Sequence, residues 1–287
     1  MRLTERPFDA PLREVLAAPP GEPVQLYWLG QAGFVVEGGR CRVVIDPYLS
    51  DFLAEKYRGT PYPHLRMMPA PVEPGEIAHV DAVLATHAHT DHLDPGTLPQ
   101  LLESNPGAPL IVPKSARDVA LTRSCVSVER LIGIEAGERL DLPGVSIAAT
   151  RAAHETLERD GRGFHCFLGL AVTLGGATVF HSGDTVPFEG QAEEVRALNA
   201  DLALLPVNGR DAGRAANGVP GNMTMAEALE LCRAAGIAGM IAHHFDLFAF
   251  NTAPRPEVEA LARRSNLIHA VAARVDRAYG LGPRQAD

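Results

Sequence analysis

His87-Ala88-His89-Thr90-Asp91-His92 follows directly on the apolar run Asp81-Ala82-Val83-Leu84-Ala85-Thr86. Three imidazoles and a carboxylate packed so closely are costly to desolvate without a partner. The corner where a buried strand gives way to a loop is where such groups can converge on one cation. A solvated histidine-rich loop would explain a lone H-x-H equally well. The added Asp91-His92 and the buried-strand approach favour a metal site, and a metal site needs further ligands from elsewhere in the chain.

Upstream, Val24 to Leu29 reads as a strand, Gly30-Gln31-Ala32-Gly33 as a tight turn and Phe34 to Glu37 as its return; Gly38-Gly39 then leads into a third strand, Cys41 to Ile45. That strand ends at Asp46-Pro47, where the carboxylate either caps the following turn or reaches the metal loop's backbone or a ligand histidine. Residues 1–23, rich in proline and charge, read as a terminal arm with a short helix around Leu12 to Ala18. Residues 48–78 form a long proline-broken connection whose aromatic content suggests a lid or an oligomer contact, with His64 more simply a surface residue than a ligand.

Downstream the pattern alternates. Pro95 to Leu102 reads as a helix, Leu110 to Val112 as a strand, and Ser115 as the cap of a second helix. Leu131 to Ile134, Arg139 to Leu142 and Val145 to Thr150 read as strands, the last delivering His154 just past its end. Phe164 to Leu174 and Ala177 to Phe180 form a hairpin that ends in His181-Ser182-Gly183-Asp184-Thr185, where Asp184 is either an Asx-turn residue or a ligand. Gln191 to Leu198 is helical and Asp201 to Pro206 a strand. Thr224-Met225-Ala226-Glu227 has the capping-box pattern of a helix running to about Ala235, and the strand Ile237 to Ala242 presents His243-His244. Arg255 to Arg264 reads as a helix and Asn266 to Val275 as a strand. Without repeat or linker, residues 24–287 are expected to form one layered α/β domain.

The chain has 287 residues, 46% of them hydrophobic, enough for a substantial core, and a formal net charge of -9 that argues against a general nucleic-acid binder. Cys41, Cys125, Cys166 and Cys232 form no C-x-x-C pair and read as reduced, core-filling thiols. The charged, proline-containing start lacks the apolar core of a signal peptide, and no run approaches a membrane span. These features lead to an expectation of a cytoplasmic protein with a small-molecule substrate as partner, with homo-oligomerisation left open.

The elements at 87–92, 154, 184 and 243–244 each follow an apolar strand, so a layered sheet can gather them at one rim. Nitrogen and carboxylate ligands without thiolate suit Zn, Fe or Mn, as one ion or as two sharing a bridging carboxylate. The sequence resembles the metallo-β-lactamase-fold hydrolases, whose H-x-H-x-D-H signature stands here as His87, His89, Asp91 and His92. Within them it looks most like the L-ascorbate-6-phosphate lactonase-like branch. That likeness rests on Trp28-Leu29-Gly30-Gln31-Ala32-Gly33-Phe34, Asp81 to Asp94, His181 to Thr185, Asn222-Met223-Thr224 and His243-His244-Phe245-Asp246.

The resemblance implies an αββα sandwich with one metal pocket at the edge of the two sheets. It assigns His87, His89 and His154 to one metal, Asp91, His92 and His244 to the other, and Asp184 to the bridge. His244 is chosen over His243 because Phe248 stands four positions beyond it, as in the family. Asp46, His181 and His243 are then expected behind the ligands. The implied chemistry is a metal-dependent hydrolysis, most simply of a lactone or related ester on a small polar molecule, with or without an anionic group. Water made nucleophilic by the cations attacks, and Asp91 relays the proton. Arg210 and Arg214 are candidates for binding a phosphate or carboxylate, with Arg58, Arg66 and Lys114 weaker ones of the same kind. The alternatives are a phosphodiesterase, including one acting on N-acyl phospholipids, and a non-catalytic metal-binding protein whose pocket is blocked. A flavin-linked di-iron enzyme is disfavoured, because that family has a carboxylate where His89 stands.

Overall fold

Two-residue alternation in Val24 to Leu29 sends Leu26 and Trp28 to one side and Tyr27 and Leu29 to the other. In the computed structural model, which describes residues 1–282, all four are buried. A strand buried on both faces must lie between two layers.

The first sheet takes β1 (Arg2–Pro7), β2 (Val24–Gly30), β3 (Gly33–Gly38), β4 (Cys41–Ile45), β5 (Ala82–Leu84), β6 (Leu110–Pro113) and β7 (Leu131–Ile134). The second takes β8 (Arg139–Leu142), β9 (Val145–Arg151), β10 (Leu168–Leu174), β11 (Ala177–His181), β12 (Leu202–Pro206), β13 (Gly239–His243) and β14 (His269–Ala272). The last strand, β15 (Arg277–Gly282), returns to the first sheet between β1 and β2. The orders are β1-β15-β2-β3-β4-β5-β6-β7 and β14-β13-β12-β11-β10-β9-β8. Each sheet has an antiparallel part and a parallel part, β4 to β7 in one and β11 to β14 in the other.

Between the sheets Leu26, Trp28, Phe34 and Val36 meet Ile147, Leu170, Val172 and Leu204. On the outer face of the first sheet, Tyr27, Leu29 and Val44 pack with α1 (Leu12–Ala17), α3 (Leu98–Ser104) and α4 (Arg117–Ser124), the short α2 (Phe52–Lys56) lying in the 48–78 connection. On the outer face of the second, Phe180, Ala203 and Met240 pack with α5 (Gln191–Ala197), α7 (Met225–Ala235) and α8 (Arg255–Arg264); the short α6 (Ala212–Ala216) stands in the loop before α7. The result is the expected αββα sandwich.

Several expectations need correction. Residues 1–23 include the expected helix, but Arg2–Pro7 pairs along its length with β15 rather than forming a loose arm. Its proline is tolerated because β1 is an edge strand. Ser115 does not cap α4; its hydroxyl donates to the His165 carbonyl at 2.8 Å. Cys41 and Cys232 fill the core, burial pushing the Cys232 thiol up to about 12, whereas Cys166 is half-buried and Cys125 exposed. The end of the expected domain, 283–287, lies outside the described residues.

Candidate metal centre

β4 and β5 run parallel, as do β11, β12 and β13, and β9 shares the direction of β11 because both are antiparallel to β10. Asp46, Thr86 to His92, His154, Asp184 and His244 all stand just beyond the C-terminal ends of these strands. The two sheets are stitched at this rim: the Leu168 amide donates to the Thr86 carbonyl at 3.1 Å, and His87 bridges Phe167. The seven residues expected as ligands are therefore brought together from both sheets.

Asp184 is the hub. Its Oδ1 lies 3.4 Å from His92 Nε2, and its Oδ2 lies 3.1 Å from His244 Nε2 and 3.9 Å from His154 Nε2. Asp91 Oδ2 lies 3.8 Å from both His92 Nε2 and His244 Nε2. The ring of His89 stands 4.7 Å from those of both His87 and His154, at the open side of the group. Donor atoms of His87, His92 and Asp184 fall within 4.8 Å of one another, as do those of Asp91, His92 and His244. His92 thus stands in both groups, whereas the family pattern assigns it to one.

The layer behind fixes which nitrogen of each ring faces inward. Asp46 accepts from the Thr86 amide at 2.7 Å and from its hydroxyl at 2.6 Å, so the hydroxyl oxygen is left to accept from His87 Nδ1 at 3.0 Å. His92 Nδ1 donates to Asp46 at 2.7 Å. Both rings therefore turn Nε2 inward, that of His92 toward Asp184. Of the two uses the sequence left open for Asp46, the geometry shows the contact with the metal loop's backbone and a histidine. His181 donates through Nε2 to the Ala32 carbonyl at 2.8 Å and accepts the Gly183 amide on Nδ1 at 3.0 Å, so it holds the turn that carries Asp184. His243 is buried edge-on against Phe34 and beside His181, away from the donor group.

Gln31 escaped the sequence reading as a site residue. It is 1% exposed, and its side-chain amide donates to Asp91 Oδ2 at 2.9 Å and lies 3.3 Å from His244 Nε2. Its carbonyl accepts the Trp28 indole at 3.0 Å and the His244 amide at 2.9 Å. Gln31, Asp46 and His244 all have positive φ (48°, 47° and 63°), so left-handed backbone, which side chains other than glycine rarely adopt, gathers where these groups converge.

His87 Nε2, His92 Nε2 and Asp184 Oδ1 are buried with no hydrogen-bond partner among the described residues. Leaving each unsatisfied costs about 1–3 kcal/mol, and a divalent cation among them removes that cost. Burial, reinforced by neighbouring imidazoles, holds His87 well below the usual histidine range; burial takes His154 down to about 4. Both are neutral near pH 7, as a ligand must be. Burial also opposes charge on His92 and His244, but Asp184 and other nearby carboxylates outweigh it and raise both. Asp184 itself, though buried, is held well below the carboxylate range by those two imidazoles.

The arginines expected to bind an anion are engaged elsewhere. Arg210 forks onto Glu227 at 2.7 and 2.6 Å, and Arg214 donates to Asp211 at 2.6 Å and to the Asn208 carbonyl at 3.1 Å. Arg66 holds the carbonyls of Tyr48 and Met68, Lys114 pairs with Glu138, and Arg58 is exposed. The donors open instead into a cavity of about 800 Å³, lined by Gln31, His89, Asp91, His154, Asp184 and His244 and walled by part of the 48–78 connection. That connection contributes a fixed wall: Met67 donates to the Leu247 carbonyl at 2.9 Å, and Ser50 donates to Asp94 at 2.7 Å.

Comparison with known proteins agrees with this geometry. Residues 41–245 match the β-lactamase superfamily domain. A UPF0173 metal-dependent hydrolase from Saccharolobus solfataricus is 30% identical over 190 residues, 65% of this chain and 72% of that protein. Among solved structures, Igni18, a metallo hydrolase from Ignicoccus hospitalis, superposes with a TM-score of 0.65 at 22% identity, covering 91% of this chain and 99% of that one. An isothiocyanate hydrolase from Delia radicum gut bacteria superposes with 0.66 at 21% identity, covering 88% and 98%. At that identity the two superpositions report the fold. The family match extends over most of the chain and spans every strand end that carries a donor. The chain belongs to the β-lactamase superfamily and is a metal-dependent hydrolase of the metallo-β-lactamase fold.

Proposed function

We propose that this hydrolase cleaves a lactone or a related carboxylic ester, with His87, His89, His154, Asp91, His92 and His244 holding one or two divalent cations and Asp184 between them. The observation that carries the proposal is the cavity of about 800 Å³ opening directly on the donors, with neither serine nor cysteine among the described residues that line it. Water is then the attacking group. When bound, the cations supply Lewis acidity toward the carbonyl and lower the pKa of water. Zinc is the first expectation for a nitrogen and carboxylate set, with manganese and iron as alternatives.

The chain's own residues orient and move the proton. Asp91 directs Oδ2 at His92 and His244 and has Gln31 donating to that same atom. Its other oxygen is left to accept a proton from water and return it to the leaving alkoxide. Asp46, through His92 and Thr86, keeps the imidazoles in the ligating tautomer. An open cavity does not suit a purely metal-binding protein with a blocked pocket. The motifs around Trp28, His87, Asp184 and His244 support the lactonase side of the superfamily. The four free cysteines fit the reducing cytoplasm expected for it.

The test is a substrate panel on protein loaded with Zn²⁺ or Mn²⁺, comparing γ- and δ-lactones and aryl carboxylic esters with bis-aryl phosphate esters. Faster turnover of the lactones and esters, lost in Asp91→Asn with metal still bound, is the expected result. Preference for the phosphate esters would establish the phosphodiesterase reading instead, and full turnover by Asp91→Asn would remove the assigned proton relay.

A further inference from the structure

One side of the cavity is aromatic. Tyr57 stacks on His64 with ring centroids 4.2 Å apart. His64 stands edge-on to Phe248 and Phe250 at 4.9 and 4.7 Å, and Phe248 and Phe250 lie parallel at 5.9 Å. These rings line the same cavity as Asp91, Asp184 and His244.

They are more than the attachment of the 48–78 connection. Beneath them Tyr48, Leu53 and Leu247 form a small buried core, and the bonds from Met67, Ser50 and Arg66 already fasten the segment. Phe248 belongs to that core, but Tyr57, His64 and Phe250 remain half-buried, facing the space next to the donors. Apolar surface left open beside a reactive centre is the usual composition of a ligand pocket.

His64 adds a directional element. Its Nδ1 donates to the Tyr62 carbonyl at 2.9 Å, which fixes the neutral tautomer and leaves Nε2 as an acceptor. Burial lowers its pKa, so the ring stays neutral at physiological pH. The wall itself is uncharged, and the cationic side chains lining the cavity, Lys56 and Arg123, are outnumbered by Asp91, Glu155, Glu158 and Asp184. Lys56 lies 5.1 Å from the Tyr57 ring, and Arg123 donates through Nη1 to the Ala88 and Leu93 carbonyls.

We propose that the wall of Tyr57, His64 and Phe250 seats the non-reacting part of the substrate, an uncharged flat or aromatic group bearing an O–H or N–H that donates to His64 Nε2. This rests on the hydrolase reading above and narrows its lactone or ester to one whose non-reacting part is neutral. His64 is then a specificity-determining residue, and its neighbours supply the stacking surface.

Binding without turnover tests the wall separately from the reaction. Metal-loaded protein, with a chelator-treated sample in parallel, is titrated with 2-naphthol, 2-methoxynaphthalene and 2-naphthalenesulfonate, following naphthyl fluorescence. The naphthol is expected to bind most tightly, in both samples. His64→Phe, which keeps a ring but loses the acceptor, should weaken naphthol about tenfold, the worth of one hydrogen bond, and leave methoxynaphthalene unchanged. Phe250→Ala should weaken both, with melting temperatures confirming that each variant folds. Sulfonate binding tightest would overturn the neutral-substrate assignment. Naphthol affinity unchanged in His64→Phe would overturn the role of His64, and failure of all three probes to bind would overturn the wall. If naphthol binds as expected while lactones and esters are not hydrolysed, the wall stands and the lactonase reading falls.

Discussion

Gln31 Nε2 lies 2.9 Å from Asp91 Oδ2, joining the tight turn between β2 and β3 to the metal loop of the same sheet. The backbone of Gln31 is itself pinned by Trp28 and His244, so the amide is a rigid support for the carboxylate. Removing such a partner behind a metal ligand typically lowers affinity ten- to a hundredfold. Gln31→Leu should therefore weaken Zn²⁺ or Mn²⁺ binding by roughly that factor. Gln31→Glu, which sets an acceptor against Asp91, should not restore it. Calorimetric titration of the metal decides, and wild-type affinity in the leucine variant would show that Asp91 needs no such support.

Metal uptake should release protons. His92 and His244 are raised by Asp184 and neighbouring carboxylates despite burial, so without metal they carry protons near neutrality that a cation must displace. About one to two protons per chain should appear as buffer-dependent heats in calorimetry, and affinity should rise with pH. The same shifts bear on folding. A histidine raised in the folded state stabilises fully below its unfolded value, about 6.5, and that contribution is lost as pH climbs through the raised value. As pH rises above about 6.5 the melting temperature of chelated protein should fall, while that of loaded protein holds. Heats independent of buffer would contradict the protonated pair.

Glu227 makes a smaller but separable contribution. Arg210 above all, aided by the Thr224 amide and hydroxyl, holds its carboxyl down to about 2, and Thr224 and Glu227 cap α7 reciprocally. A depressed carboxyl stabilises above its unfolded value, about 4.3, and the contribution disappears as pH falls toward 2. Glu227→Gln should lose about 1 kcal/mol, some 2–4 °C in melting temperature at pH 7, with the gap to wild type narrowing below pH 4. A constant gap across that range would assign the loss to packing.

The parts of this structure that were legible in the sequence share a physical cause. Strands such as Val24 to Leu29 and Cys41 to Ile45 announce themselves because burial on one or both faces demands apolar residues, and histidines after strands stand out because an imidazole there is rarely idle. β1 escaped notice because it is the sheet's edge strand, where Arg2, Glu5 and Arg6 face solvent and no apolar run is required, and β15 because its buried Ala278, Tyr279 and Leu281 are interrupted by Gly280. Gln31 escaped because a turn between glycines explains its presence without any chemistry. Arg210 and Arg214 misled because a free guanidinium and one engaged by a local carboxylate look identical in sequence. Their partners Glu227 and Asp211 become evident only when the loop before α7 is folded.

Gly183 couples the fold to the centre most directly. It has φ of 62°, and a Cβ added there would lie 2.7 Å from the Leu168 carbonyl oxygen and 2.9 Å from the Thr86 Cβ. Neither neighbour can yield freely, because Leu168 is in the sheet stitch and Thr86 is tied to Asp46 and His87. Gly183→Ala must then displace the turn that carries Asp184. Gly176→Ala supplies the control, since Gly176 has a similar φ of 79° with nothing within 4 Å of the added carbon. The control should show only the strain of left-handed backbone, about 1 kcal/mol. Gly183→Ala should lose about 2–4 kcal/mol and bind metal at least about tenfold more weakly. Equal losses in the two variants, with metal affinity intact, would mean that backbone conformation alone demands glycine at 183 and that Asp184 tolerates movement of its turn.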